Sequence, residues 1–300
     1  MAGEIAVQGT AWSRAADYLE LTKPKIAVLE LVTVALAAFT ARWQIPEFGL
    51  LVWLLAGTTL VAAGASALNQ WLEVAGDARM ERTADRPLPA GRLSSRSVFL
   101  FGFATTAGGA ALLAVAVNPL TALLGLLTWV LYVVVYTPMK RRTPLNTVVG
   151  AIAGAVPVLM GWAAVGGRFT GDRGLSAAAL FMIVFLWQFP HFMAISWLYR
   201  RQYARAGLQM LSVVDPTGRR AGAQAVVTAL ALIPVSLLPA VVDSAGPLYF
   251  AWALLLGSAQ LACALWFMSR LDERSARVLL RASLIYLPSL LLMLMLGPFS

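Results

Sequence analysis

Three oxygen-bearing side chains stand four residues apart in this chain: Asn69, Glu73 and Asp77. On a helix each step of four adds about 400°, so the three drift only about 40° per step and climb about 6 Å. They form one stripe of hard donors, suited to Mg²⁺ held jointly with a phosphate. Arg82 and Arg86 repeat the spacing if the helix continues, and Pro87 then ends it. Guanidinium forks match phosphate oxygens bidentately. A carboxylate stripe followed by an arginine pair is what a metal–diphosphate site needs, with Asp77 exposed at its mouth. Acids and bases at this spacing are also what an ordinary exposed helix carries as salt bridges, and spacing alone leaves both readings open.

Two further groups accompany the stripe. In Tyr136-Thr-Pro-Met-Lys140-Arg141-Arg142, Lys140 follows a Thr-Pro turn at the end of an apolar run, from which it could reach back toward a bound anion. Arg141 and Arg142 also read as anchors on the cytoplasmic side. In Trp187-Gln188-Phe-Pro190-His191-Phe192, the only histidine of the chain lies inside an apolar run. An ionisable group there is a functional hypothesis by default, though a lone histidine is often structural. Gln188 and His191, at i, i+3, are expected to share a face, and Pro190 frees backbone groups. A neutral imidazole could bind haem iron or hydrogen-bond a porphyrin propionate. Of the ten tryptophans, most fit interfacial belts and packing. Some could line a water-poor cavity and face a carbocation.

The elements that must position these groups are membrane helices. Of 300 residues, 60% are hydrophobic and 12% charged, more apolar surface than a soluble chain of this length can hide. Nine apolar runs long enough to span a bilayer fall near 26–41, 48–68, 98–117, 119–136, 145–165, 175–199, 222–241, 248–268 and 278–298. Backbone groups in lipid must be satisfied internally, so the runs are expected as helices, and their period is not that of a β-barrel. With nine spans, twenty of the 23 lysines and arginines fall on the face that carries the N-terminus. That bias puts the N-terminus in the cytoplasm and the C-terminus outside. It also accounts for the net charge of +9 without nucleic acid. Two connections on that face are long, about thirty residues after span 2 and about twenty after span 6. Residues 1–22 read as a cytoplasmic lead-in, neither cleaved signal nor transit peptide, ahead of one transmembrane domain over 23–300. That favours a bacterial cytoplasmic membrane. The single Cys263 excludes an intrachain disulfide framework.

The run Asn69-x3-Glu73-x3-Asp77, then Met80-x-Arg82-Thr83-x2-Arg86-Pro87-Leu88, closely resembles the first carboxylate motif of the intramembrane prenyltransferase superfamily. Four passages resemble one branch of it, the protohaem IX farnesyltransferases. They are Leu21-Thr-Lys-Pro-Lys25, Tyr136-Thr-Pro-Met-Lys140-Arg141, Trp187-Gln-Phe-Pro-His191-Phe192, and Tyr203-Ala-Arg-Ala-Gly207 with Met210-Leu211. The resemblance runs from Leu21 over most of the chain. It implies nine helices around a central cavity that opens toward the long loops. It also implies Mg²⁺, farnesyl diphosphate and haem B as substrates, and haem O as product. Carried over by position, Asn69, Glu73 and Asp77 would bind Mg²⁺–diphosphate. Arg82, Arg86 and Lys140 would hold the diphosphate, with Arg141, Arg201 and Tyr203 beside it, and His191 and Gln188 would meet the haem. A haem A synthase or an assembling terminal oxidase would be a downstream partner.

One passage departs from the pattern. After span 6 the superfamily usually has a second carboxylate motif, whereas Tyr199-Arg200-Arg201-Gln202-Tyr203 is followed by no acid before Asp215. Arg200, Arg201 and Arg205 are expected to bind phosphate in its place, with a swing of Asp215 or an altered activity as the alternatives. Two other functions stay open: another tetrapyrrole or aromatic prenyltransferase, and a haem-binding carrier without catalysis. The intact Asn/Glu/Asp stripe argues against the carrier.

Overall fold

Prolines and short polar caps decide where the helices begin. In the computed structural model, which describes residues 11–242 and 245–296, α1 covers Ala11–Leu21 and α2 covers Pro24–Thr40. Pro24 sits where its missing N–H is not needed, just after Lys23 in the left-handed region (φ 49°). α3 (Phe48–Asp77) and α4 (Ser95–Ala116) follow. Ser94 caps α4 by accepting the Ser97 N–H at 3.1 Å. Asn118 caps α5 (Pro119–Met139) by accepting the Thr121 N–H at 2.8 Å. α6 (Asn146–Ala164) and α7 (Gly171–Leu198) come next. Two short helices, α8 (Arg200–Arg205) and α9 (Leu211–Val214), lead into α10 (Arg219–Val242), α11 (Gly246–Arg270) and α12 (Glu273–Leu296).

Eight helices are long and apolar enough to cross a membrane: α3, α4, α5, α6, α7, α10, α11 and α12. The first expected span is α2, 17 residues long, which carries Lys25 and Glu30. These nine pack in chain order as a closed ring, each on the next and α12 back on α2, with α6 also on α2 and α7 also on α12. Small residues permit the closest contacts. A Cβ at Gly64 of α3 would collide with the Gly102 carbonyl and Thr106 of α4, and one at Gly161 of α6 with the Val34 carbonyl of α2. Trp162 is fully buried beside that contact, its indole N–H donating to the Arg168 carbonyl at 3.0 Å.

α3 continues past its expected span end near 68, as the helical spacing of the stripe requires, while α5 departs from its expected form. The 30 residues of α3 give about 45 Å, against a hydrocarbon core of about 30 Å, so Asn69–Asp77 forms its projecting end. The connection to α4 shrinks accordingly to 78–94. α5 is not uniform: Val130–Tyr136 is a π-helix. The wider turn lets the Thr137 hydroxyl donate to the Tyr132 carbonyl five residues back, at 2.8 Å. Of the expected lead-in, residues 1–10 lie outside the described residues, as do 297 and 298 of the last span.

The connections at the projecting end of α3 are bound to one another. Met80 from the first long connection packs with Tyr203, Ala206, Leu208 and Met210 from the second. The Gln209 N–H donates to the Lys140 carbonyl at 2.6 Å, and the Asn146 amide donates to the Gln209 carbonyl at 3.2 Å. Arg92 ties the first connection to α1 through Asp17 at 2.8 Å and Glu20 at 2.7 Å.

Candidate active site

Each oxygen of the α3 stripe faces a cation from a different segment. Lys23 Nζ donates to Asn69 Oδ1 at 3.1 Å, Lys140 lies 2.8 Å from Glu73, and Arg86 lies 2.6 Å from Asp77. The Asn69 amide also donates to Thr137 Oγ1 at 2.9 Å, which fixes its oxygen toward Lys23. Lys140 stands over the Tyr136 ring, 4.5 Å from its centre. The π-turn of α5 therefore presents Tyr136, Thr137 and Lys140 together to α3. Burial and the neighbouring Arg86 and Lys140 charges push Lys23 down to about 7. Burial alone would also lower Lys140, but the Glu73 carboxylate outweighs it and holds the ammonium above its ordinary range.

Three cations against two carboxylates leave the cluster net positive. Among the described residues no group of three or more His, Cys, Asp or Glu side chains could hold a metal by itself. Asn69 and Asp77 are about 12 Å apart along the helix, further than one ion's ligand shell. The donors are hard oxygens, two of them anionic, and cations that pair with phosphate stand opposite. This set fits Mg²⁺ that arrives with an anion completing its coordination.

Several expected placements are corrected. The helix ends at Asp77, where the Thr83 hydroxyl donates to the Asp77 carbonyl at 2.9 Å and the chain turns away. Arg82 and Arg86 thus do not extend the stripe along a helix, and Pro87 does not terminate one. Arg86 instead folds back onto Asp77, which is 1% exposed rather than open at a mouth. Arg82 lies over the Tyr199 ring at 5.2 Å, and its backbone N–H donates to Gln202 at 3.5 Å.

Gln188 and His191 do not meet at one place. The Gln188 amide donates to the Ala151 carbonyl of α6 at 2.9 Å, whereas His191 Nδ1 lies 3.0 Å from the Ser283 hydroxyl of α12. A step of three residues turns about 60° short of a full revolution, and α6 and α12 approach α7 from different sides.

Around α8 the arginines make separate contacts. Arg200 donates to the Trp197 carbonyl at 2.6 Å and stacks on that indole at 4.3 Å. Arg205 is exposed, 3.8 Å from Glu81, and Arg201 is exposed. Asp215 stays at the start of α10, accepting the Thr217 N–H at 3.1 Å and the Arg220 N–H at 2.8 Å. Tyr203 is buried against Met80, and Arg141 lies beside Gly76, next to the stripe.

Sequence reasoning passed over three residues here. Lys23 and Thr137 have no signal of spacing, because their partner Asn69 is 46 and 68 residues away. Glu30 had one: it is a carboxylate inside the first span, as noteworthy there as His191 in its own. It lies two turns from Lys23 on the α2 face that carries Val34 and Ala37, and it is half-buried with no hydrogen-bond or ion-pair partner among the described residues.

The profile of the UbiA prenyltransferase family matches residues 31–290, and the chain belongs to that family. A protoheme IX farnesyltransferase of Solibacter usitatus is 45% identical over 288 residues, covering 91% of this chain and 95% of its own. One of Koribacter versatilis is 41% identical over 297 residues, covering 93% and 92%. Among solved structures, a UbiA homolog from Archaeoglobus fulgidus bound to GPP and Mg²⁺ superposes with a TM-score of 0.67 at 17% identity, over 95% of this chain and 100% of its own. That likeness carries the fold.

Proposed function

We propose that this chain transfers the farnesyl group of farnesyl diphosphate to a vinyl group of haem B, with addition of water, and releases haem O. The observation that carries the reading is the row of three cation–oxygen pairs along the end of α3. On binding, the pairs exchange partners: the oxygens turn to the metal and the cations to the diphosphate. The names of the relatives and the ligands of the A. fulgidus homolog support the two substrates.

Asn69, Glu73 and Asp77 would hold Mg²⁺–diphosphate along the stripe, no single ion bridging Asn69 and Asp77, and Lys23, Lys140 and Arg86 would hold the diphosphate, with Arg82 and Arg141 at the edge. When bound, Mg²⁺ neutralises charge on the departing group. The allylic C–O bond breaks and both electrons leave with the diphosphate, whose growing charge the three cations stabilise more than they do the intact ester. The vinyl π electrons close on the allylic carbon. The cation left beside the porphyrin takes up water and loses a proton. A central cavity among the nine helices would keep stray water from the allylic cation. It opens toward the cytoplasm, with the N-terminus inside and the C-terminus outside, in a bacterial cytoplasmic membrane. The product suits a haem A synthase or an oxidase under assembly as its recipient.

Purified protein incubated with haem B, farnesyl diphosphate and Mg²⁺ is expected to yield haem heavier by one farnesyl group plus one water, read by mass spectrometry. Haem bound tightly and recovered unchanged would mark a carrier and overturn the assignment. A farnesyl gain on another acceptor, with haem B untouched, would move it elsewhere in the superfamily.

A further inference from the structure

Ser283 is fully buried in α12 and serves α7 with two different atoms. Its carbonyl accepts the Trp187 indole N–H at 2.7 Å. Its hydroxyl oxygen lies 3.0 Å from His191 Nδ1. Trp187 in turn stacks on the His191 ring, 5.1 Å between centres at 24°, and Phe192 meets that ring edge-on at 5.7 Å. One residue therefore fixes both the imidazole and the indole against it.

The hydroxyl also settles the proton. A serine has a single O–H to donate, and this one goes to the Leu280 carbonyl at 2.7 Å, a group that can only accept. Toward His191 the oxygen has only lone pairs left, so Nδ1 must carry the hydrogen between them. In a neutral imidazole the other nitrogen is then bare. Nε2 has no hydrogen-bond partner among the described residues, and the ring is half-buried.

We propose that Ser283 is the positioning residue of His191: by accepting Nδ1–H it selects one tautomer and presents Nε2 as a bare nitrogen, a ligand or hydrogen-bond acceptor for the haem substrate. The tautomer stands on this geometry alone, and only its use toward haem rests on the function proposed above. Partners that orient a ligating histidine in this way, fixing its tautomer and raising its basicity, typically change affinity by 10–100-fold when removed.

Because His191 is the only histidine, the proposal can be read directly. Protein purified through a tag without histidines and labelled with ¹⁵N-histidine gives ring nitrogen signals from this residue alone. In haem-free wild type at neutral pH, Nδ1 is expected to resonate as a protonated nitrogen and Nε2 as a bare one. Ser283→Ala should populate the Nε2–H form and weaken haem B binding, followed by optical titration, by about 10-fold. Ser283→Thr, which keeps a hydroxyl, should restore both readings. Wild-type protein with Nε2 protonated, or a Ser283→Ala ring unchanged from wild type, overturns the proposal, and the wild-type spectrum decides even where Ser283→Ala does not fold. If the tautomer shifts as expected but Ser283→Ala binds haem B as wild type does, the positioning stands and the haem role of His191 falls.

Discussion

At the scale of single residues, charge pairing at the site is local to each oxygen, so the pairs can be tested singly. Asp77→Asn keeps the shape and removes the charge that Arg86 meets at 2.6 Å. Farnesyl transfer should fall by roughly 100-fold or more, as when one preorganised electrostatic contact is lost. Arg86 keeps some contact with water, so the stability cost should stay near 1–3 kcal/mol, read from thermal unfolding. Transfer at wild-type rate would remove Asp77 from the chemistry. Glu73 and Lys140 form a largely enclosed pair, both side chains 14% exposed. Glu73→Gln, Lys140→Met and the double variant should show coupling of about 0.5–3 kcal/mol in unfolding of the free protein. Additive losses would mean that the contact contributes nothing. The stripe itself was legible from spacing, because Asn69, Glu73 and Asp77 share one helix. What they face was legible only in part: Arg86 and Lys140 were expected nearby, Lys23 and Thr137 were not. Lys23, Thr137 and Lys140 arrive from other segments, and local periodicity carries no trace of a contact 46 residues apart.

At the scale of elements, hydropathy placed the helices but not their ends. The apolar run of span 2 thins near 68, and α3 runs on for about two more mixed turns that carry the stripe, as its helical spacing requires. Arg82 and Arg86 would have shared the stripe only had the helix continued to Pro87, but it ends at Asp77, whose carbonyl accepts the Thr83 hydroxyl. The π-turn of α5 gave no sign, since Val130–Tyr136 is as apolar and regular as the turns before it. Caps are the exception, being written in one or two residues. Asp272 accepts the Ser275 N–H and the Ser275 hydroxyl at the start of α12, both at 2.7 Å. Those bonds, the backbone one first, hold its carboxyl below the ordinary 3.8. A carboxylate depressed in the folded state stabilises it above the unfolded pKa, and that contribution is lost as pH falls through the folded one. Wild type should therefore lose more stability than Asp272→Asn as pH drops from 5 to 3. Parallel melting curves for the two chains across that window would show the cap to be silent.

At the scale of the whole molecule, the distribution of charge and the packing of the loops agree. The connections that hold most of the basic residues are the ones that bind one another at the end of α3, through Met80 and Tyr203, through Lys140 and Gln209, and through Arg92 and α1. Only Arg42, Arg168 and Arg173 lie at the opposite end. On the proposed function the face that binds a diphosphate should be the one rich in cations, and the positive-inside rule predicts that this face lies in the cytoplasm. Ala90 lies on this face and Thr170 on the other, both exposed. With Cys263 replaced by serine, Ala90→Cys and Thr170→Cys each carry one accessible thiol. In sealed right-side-out vesicles a membrane-impermeant maleimide should modify position 170 and spare position 90, and in inverted vesicles the pattern should reverse. Labelling of both positions from one side would require an even number of spans between them where this ring has three, and labelling of 90 from outside would turn the site away from the compartment that supplies its diphosphate.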